Sequence, residues 1–432
     1  MARVFNGFPE VQLNLNVRGV RRSATLAINE RCAELQRSGR QVYRLGLGQS
    51  PFPVPDSVVE ALRRNAHQKD YLPVQGLAEL REVVAHNHRK DFGVKCSADD
   101  VIVGPGSKEL MFLLQLVYYG DLVVPTPAWV SYAPQARIIG HHVHFLATER
   151  SNGWRLSPDQ LDMLCQPDPG RPRIVVLNYP SNPTGATYTE AELEELAESA
   201  SRNRIVLLSD EIYGQLHHRG EHRSIVPLYP QGTIYSGGLS KWCGAGGWRL
   251  GLFVVPPSMR WLLDALSAAA SETFTSTSAP IQYAAVRAFE GGKDIEVYLE
   301  GCRRVLCALG NFLARGLRAA GAQVLEADGG FYLFPDFSRL RDRLLASGIA
   351  TSDELCRRLL EETGVAVLPG TDFGRSPSEL VLRLAYVDFD GGAALRSIAD
   401  SSPDESFLRR YCGKTVEAVD RVSEWVIGLD GE

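Results

Sequence analysis

Lys241 is the residue in this sequence best suited to covalent chemistry. It lies in Ser236-Gly-Gly-Leu-Ser-Lys241-Trp-Cys-Gly-Ala-Gly-Gly-Trp-Arg249-Leu-Gly251, just past a strand-like run and among too many glycines for a stable helix. Most loop lysines are merely solvated. Here the glycines let backbone approach something bulky, and Arg249, eight residues on, suits a phosphate. A desolvated lysine amine can condense with an aldehyde to form a Schiff base. Asp210, in Ser209-Asp-Glu-Ile-Tyr213, ends another apolar run and is either a helix cap or a site carboxylate. Asn178-Tyr-Pro-Ser-Asn182-Pro-Thr-Gly185 is a proline-stiffened turn, and its Asn182–Pro183 bond is the expected cis candidate. Gly104-Pro-Gly106-Ser107-Lys108 joins a strand to a helix, where backbone amides can accept an anion. Arg383 interrupts the apolar run Leu380–Val387, and an internal arginine there would need a carboxylate partner.

Buried strands and helices must position these groups. Val101–Gly104, Leu122–Pro125, Arg173–Leu177, Arg204–Ser209, Thr233–Ser236 and Leu250–Val255 are short runs rich in branched residues. Several are continuously apolar, as strands buried on both faces of a parallel sheet are. Helix signals alternate with them: Ser107–Tyr119 has a broad apolar face, and Thr189-Glu-Ala-Glu192 spells a capping box. The alternation predicts an α/β architecture, a mostly parallel central sheet with helices on both faces. Beyond residue 281 the pattern changes to a long helical stretch, Ile281–Ala319. It is followed by mixed segments at Gln323–Phe337, Val365–Leu368 and Leu380–Val387, which predict a smaller α+β domain. The helical stretch Ala24–Arg37 is expected to pack on that domain.

Composition excludes several classes. With 46 basic and 51 acidic side chains among 432 residues, the net charge of −5 argues against nucleic acid and anionic membranes as partners. No apolar run reaches the ~20 residues of a membrane span. Met1–Asn16 has neither a signal nor a transit pattern, and the eight cysteines are scattered without metal-like spacing. A cytoplasmic protein with reduced thiols and no metal site is expected.

The lysine segment resembles the attachment motif of the class I/II aminotransferases, pyridoxal 5'-phosphate enzymes of fold type I. The resemblance makes Lys241 the Schiff-base lysine and Arg249 the phosphate-binding arginine, with Gly238, Leu239 and Ser240 preceding the lysine as in the family. Many members carry a phosphate-binding serine where this chain has Gly238. Asp210 then matches the carboxylate beside the pyridine nitrogen, Tyr213 and Asn182 the groups on the phenolic oxygen, and Gly106, Ser107 and Lys108 the phosphate loop. Trp129, in Pro127-Ala-Trp129, matches the aromatic ring against the cofactor face. Arg383, Asn182, Trp129 and Gly48 match the substrate side, Arg383 as the fork that binds the α-carboxylate. Tyr71, in Asp70-Tyr71-Leu-Pro-Val-Gln-Gly76, is similar to a tyrosine that reaches the neighbouring subunit's phosphate, which implies a homodimer with shared sites.

The likeness runs from about residue 17 to 425. It divides the chain into 1–56 (arm and part of the small domain), 57–300 (large cofactor-binding domain) and 301–432 (small C-terminal domain). The reaction it implies is transamination, moving an amino group from an L-amino acid to a 2-oxo acid through pyridoxamine phosphate. A lyase or synthase on the same scaffold (β- or γ-elimination, or cyclopropane formation) is the alternative. A regulator is disfavoured because small-domain sequence begins near Met1 and leaves no room for a DNA-binding domain. Tyr118-Tyr-Gly-Asp121 replaces the family's usual Pro-Gly-Asp turn, and a C-terminal extension follows Ser401. For a dicarboxylate substrate, Arg18, Arg21, Arg22 and Arg375 are the candidate second cations, whereas Trp129, Tyr71 and Phe331 could line an aromatic or aliphatic pocket.

Overall fold

A computed structural model describes residues 13–20 and 22–429. Its centre is a seven-stranded sheet: β1 (Val101–Gly104), β2 (Asp121–Thr126), β3 (Val143–Ala147), β4 (Arg173–Asn178), β5 (Val206–Asp210), β6 (Thr233–Gly238) and β7 (Gly251–Val254). The spatial order is β1-β7-β6-β5-β4-β2-β3. β7 runs antiparallel to both of its neighbours, and every other pairing is parallel. The architecture is therefore the expected α/β sheet with helices on both faces.

Strand alternation builds those two faces. Leu122, Val124, Ile174, Val176, Val206 and Leu208 point into one apolar layer, under the helices Ser107–Val117, Tyr132–Ile139 and Arg260–Ser271. Val123, Val175, Leu177 and Leu207 point into the opposite layer, against Pro158–Cys165 and Glu190–Arg202. Burial on both sides explains why these strands read as continuous apolar runs. The capping box forms as expected, with Thr189 Oγ1 accepting from the Glu192 backbone N–H and Glu192 accepting from the Thr189 backbone N–H.

β3 was not among the expected strands. It is an edge strand with only β2 beside it, its residues are half-buried or exposed, and His144 interrupts its apolar residues. The expected single helical stretch from Ile281 is two helices, Ala279–Glu290 and Lys293–Ala319. Gly291 and Gly292 separate them with φ of 70° and 110°, in the region only glycine enters cheaply. Lys293–Ala319 buries Ile295, Leu299, Cys302, Leu306, Leu309, Leu313 and Leu317, a stripe at helical spacing.

A second, three-stranded sheet combines β8 (Tyr332–Leu333), β9 (Leu368–Pro369) and β10 (Leu382–Ala385) in the antiparallel order β9-β10-β8. Within Gln323–Phe337 only Tyr332–Leu333 is strand. Tyr43–Arg44 pairs in parallel with Val365–Ala366, tying the N-terminal segment to the later part of the chain. The helix Gly413–Gly428 follows Ser401 and buries Val416, Val419, Val422 and Val426 in the same core as Lys293–Ala319.

Candidate active site

All the sheet-borne candidates lie at or just past the carboxyl ends of β1, β2, β4, β5 and β6, the edge at which open α/β sheets place ligands. Asp210 is the last residue of β5 and is 3% exposed. It shares strand parity with Val206 and Leu208, so its carboxylate enters the layer that holds Tyr132, and the Tyr132 hydroxyl donates to Oδ2 at 2.5 Å. Its other oxygen, Oδ1, is buried and has no hydrogen-bond partner. Burial raises the Asp210 pKa to about 6, against the lowering influence of the Tyr132 bond and the Lys241 charge.

Lys241 stands three residues beyond β6. Its Nζ donates to the Gly48 carbonyl at 2.7 Å and lies 5.6 Å and 5.8 Å from the ring centroids of Tyr213 and Phe331. Desolvation is the largest cause of its depressed pKa, about 8, and the Arg383 charge is the next. Near neutrality an appreciable fraction of this amine is therefore unprotonated, as a nucleophile or proton acceptor must be.

Arg383 enters from β10 and is 1% exposed. Its Nη1 donates to Asn182 Oδ1 at 3.1 Å and its Nη2 to the Gly46 carbonyl. The guanidinium lies over the rings of Tyr332 and Phe373, 4.8 Å and 5.0 Å from their centroids. Its Nε is buried without a partner. Asn182 is itself held by its backbone N–H, which donates to Asn178 Oδ1, while the Asn178 amide donates to the Asp210 carbonyl. The Tyr213 and Tyr332 hydroxyls meet at 2.7 Å. The structure thus brings Lys241, Asp210, Tyr213, Asn182, Gly48 and Arg383 into one group, with Lys241 and Gly48 half-buried and the others buried.

The remaining candidates form a second, more open group. Gly106 has φ of 91°, in the region that favours glycine, and the Arg249 guanidinium packs against it, with Nη2 2.2 Å from where a Cβ would stand. Arg249 is exposed, takes the left-handed conformation (φ 56°) and donates to the Gly246 and Pro105 carbonyls. Ser107 and Lys108 open the helix Ser107–Val117 and are half-buried. Lys108 Nζ lies 5.3 Å from the Trp129 ring centroid, and burial followed by the Arg249 charge lowers its pKa. Ser240 is half-buried beside Lys241. At Gly238 an added Cβ would come within 2.7 Å of the Leu250 carbonyl oxygen, which explains why the family's serine is absent. Ser236, two residues earlier on β6, is fully buried and its Oγ has no partner.

Several expectations are corrected. The cis bonds are Thr126–Pro127 and Tyr179–Pro180, not Asn182–Pro183. Arg375 is not available as a second substrate cation: its Nη1 donates to the Thr126 and Thr148 carbonyls and its Nε to Glu379. Arg22 is exposed and paired with Glu30, Arg18 is exposed, and Arg21 lies outside the described residues. Tyr71 is 90% exposed and stands out from its own chain's surface.

Sequence reasoning missed Tyr132, Tyr332, Phe373 and Glu211. Glu211 is buried and accepts from Ser209, Ser224 and Tyr179, and it meets His222 Nε2 at 2.7 Å. Tyr132 follows Trp129 by three residues and Tyr332 follows a Gly-Gly-Phe turn, but neither spacing specifies a partner.

These features fit pyridoxal 5'-phosphate. The orphan carboxylate oxygen of Asp210 calls for an N–H donor, the depressed Lys241 amine suits an aldehyde, and the exposed Arg249 guanidinium beside Gly106 suits an anion.

The profile of the aminotransferase class I and II family matches residues 40–388. The aspartate aminotransferase of Geobacillus stearothermophilus is 33% identical over 374 residues, covering 84% of this chain and 91% of that protein. The asparagine–oxo-acid transaminase of Streptococcus mutans is 31% identical over 387 residues, 87% and 94% of the two chains. The solved structure of Thermus thermophilus aspartate aminotransferase with maleate superposes with a TM-score of 0.82 at 30% identity, covering 96% of this chain and 99% of that one.

Proposed function

Since the chain belongs to the aminotransferase class I and II family and is a transaminase, we propose that it works with pyridoxal 5'-phosphate linked to Lys241. The observation that carries this is the half-buried Lys241 amine, held by the Gly48 carbonyl beside the Tyr213 and Phe331 rings, with a pKa of about 8. When bound, the cofactor supplies an aldehyde for the amine and a pyridine ring that delocalises the electron pair released at the substrate Cα.

The chain's own groups do the rest. Asp210 Oδ1 takes the ring N–H, and the Tyr213 hydroxyl and Asn182 amide serve the phenolic oxygen. Gly106, Ser107, Lys108, Ser240 and Arg249 hold the phosphate end, with Trp129 against the ring. Arg383, aided by Asn182 and the close approach at Gly48, grips the α-carboxylate and so orients the Cα–H bond toward Lys241 Nζ. That amine takes the Cα proton and holds it for return. Removing the proton rather than the carboxylate gives transamination.

The named relatives act on aspartate or asparagine, and we take aspartate as the donor. Its second carboxylate requires a cation, and two of the candidate arginines, Arg375 and Arg22, are engaged elsewhere. Lys108, beside Trp129 and with no carboxylate partner among the described residues, is assigned to it as well as to the phosphate end. The division into 1–56, 57–300 and 301–432, with Lys293–Ala319 spanning the junction, belongs to the same proposal. So does a cytoplasmic homodimer in which exposed Tyr71 reaches the neighbour's site. Among the described residues no helix is long and apolar enough to cross a membrane, and no cluster of His, Cys, Asp and Glu could hold a metal ion.

Borohydride reduction of the holoenzyme followed by peptide mapping tests the central link. The cofactor mass must appear on Lys241, and a tag on any other lysine overturns the assignment. For the donor, with the cofactor kept saturating, Lys108→Met should raise the KM for aspartate well beyond that of a monocarboxylic amino acid. Equal effects on both refute its role at the side-chain carboxylate.

A further inference from the structure

Arg375 is a buried cation that the chemistry above does not use. Its side chain is 6% exposed, and its guanidinium lies 5.0 Å from the Trp154 ring centroid. Nη1 donates to the Thr126 carbonyl at 3.0 Å and to the Thr148 carbonyl at 2.9 Å, and Nε donates to Glu379 at 2.8 Å. Taking a charge out of water is costly, and a buried side chain is ordinarily apolar. The sheet does not require this one. The Thr148 backbone N–H and hydroxyl already donate to the Thr126 carbonyl, so that acceptor stays satisfied without the arginine.

What the arginine joins accounts for its place. Thr126 ends β2, three residues before Trp129, and Arg375 lies two residues beyond the short turn Gly370–Phe373. That turn leaves β9, which pairs Leu368 with Arg383 on β10. The Phe373 ring lies 5.0 Å from the Arg383 guanidinium, and the Phe373 carbonyl accepts from the Ala128 N–H at 3.0 Å. Gly374 takes φ of 81°, and a Cβ there would stand 2.8 Å from Thr126 Cγ2, so the turn closes directly on the strand end. Trp154 and Phe334 extend the contact edge-on, with ring centroids 5.6 Å apart. On the division proposed above, Arg375 and Phe373 belong to the small C-terminal domain, and Thr126, Ala128 and Thr148 to the large one.

Resting on the substrate roles assigned above, we propose that Arg375 is a positioning residue for the Arg383 fork. It clamps the Gly370–Phe373 turn, and with it the Phe373 ring, onto the end of β2. The spacing between the fork and the Trp129 wall is thereby fixed before an amino acid arrives. Directional, charge-assisted hydrogen bonds define such a spacing more narrowly than ring contacts, which tolerate sliding. Without the clamp only a fraction of molecules present fork and wall correctly, and the apparent affinity for substrate falls by that fraction. Once the substrate is gripped from both sides the arrangement is restored, so the chemical step changes little.

Arg375→Met keeps an unbranched stem against Trp154 and removes every donor. In the holoenzyme it should raise KM about tenfold, the scale of one lost hydrogen bond from a charged group. The rise should be the same for aspartate and for a monocarboxylic amino acid, since both present an α-carboxylate to Arg383. The kcat and the dissociation constant of the cofactor should stay within about twofold of the wild type. Arg375→Lys keeps the charge without the fork, should give a smaller rise, and replaces the methionine variant if that one does not fold. A double-mutant cycle supplies the readout that a merely structural role would not move. Phe373→Leu should raise KM by itself, and in that background Arg375→Met should add less than about twofold. An unchanged KM in the folded variants overturns the proposal, as does full additivity with Phe373→Leu or a fall in kcat with KM unmoved. A rise confined to aspartate also overturns it, because Arg375 would then serve the side-chain carboxylate. The borohydride experiment on the wild type judges Lys241 and the KM comparison judges Arg375, so the two assignments fail separately.

Discussion

Arg383 and Arg249 both depress the pKa of Lys241, yet they are held in opposite ways. Arg383 is buried, sandwiched against Tyr332 and Phe373, and fixed by an Asn182 oxygen and a backbone carbonyl from a segment more than 300 residues away. Arg249 is exposed, sits in a left-handed turn and reaches only neighbouring loop carbonyls. In a dry, packed setting the direction of the fork is set before any ligand arrives, and Coulomb attraction is little screened. At an open mouth a cation supplies charge, and solvent weakens it. The buried arginine should thus govern which molecule is gripped and how. The exposed one should govern how tightly an anion is retained.

Breaking the buried side should have the larger effect. Arg383→Ala should lower kcat/KM for the amino donor roughly 30- to 5,000-fold, from the 2–5 kcal/mol typical of a truncated buried charge contact. Arg383→Lys should restore little, since an ammonium cannot reproduce a planar fork. Steady-state kinetics on both variants decide this, and full activity in the lysine variant would erase the contrast. Arg249→Ala should weaken cofactor retention by about 10- to 100-fold, read as the dissociation constant of the holoenzyme, with Arg249→Lys regaining most of it.

The same contrast has a pH signature. In apoprotein the Lys241 amine should become reactive to an aldehyde probe with a midpoint near its pKa of about 8. Both arginines lower that pKa, so removing either raises it toward the ordinary 10.5. Arg383→Met should move the midpoint further than Arg249→Met, and the reverse order would contradict the assigned screening. The smallest effect is that of salt. Raising ionic strength from about 0.05 to 1 M should weaken cofactor retention a few-fold and leave the amino-acid KM within about twofold.

Much of the sheet was legible because strands buried on two faces are apolar along their middles, as at Ile174–Leu177 and Val206–Leu208. The edge strand Val143–Ala147 was not, because one neighbour and a wet side impose no such pattern. The break at Gly291-Gly292 was visible only as two glycines in a helical run, which a helix can also tolerate. At the site, the loops that follow strands carried their own signals in glycine, proline and charge. Tyr132 and Tyr332 carried none, since an aromatic residue after a strand or turn reads as core until its hydroxyl is seen against Asp210 or Tyr213.

What the sequence determined by itself is local: Lys241 in a glycine-rich turn, Arg249 eight residues on, the Thr189 capping box, and an alternation that commits the chain to a layered α/β sheet. Those features arise within a few residues of one another, where propensity, sterics and hydrogen-bond reach act directly. Tertiary structure alone decided that Gly48 would cap the Lys241 amine, that Asn182 and Arg383 would share a bond, that Arg375 would be consumed by backbone carbonyls, and that one oxygen of Asp210 would be left open. Such pairings join segments hundreds of residues apart. Which groups meet there depends on how whole layers pack, and side-chain identity along the chain does not encode that distance.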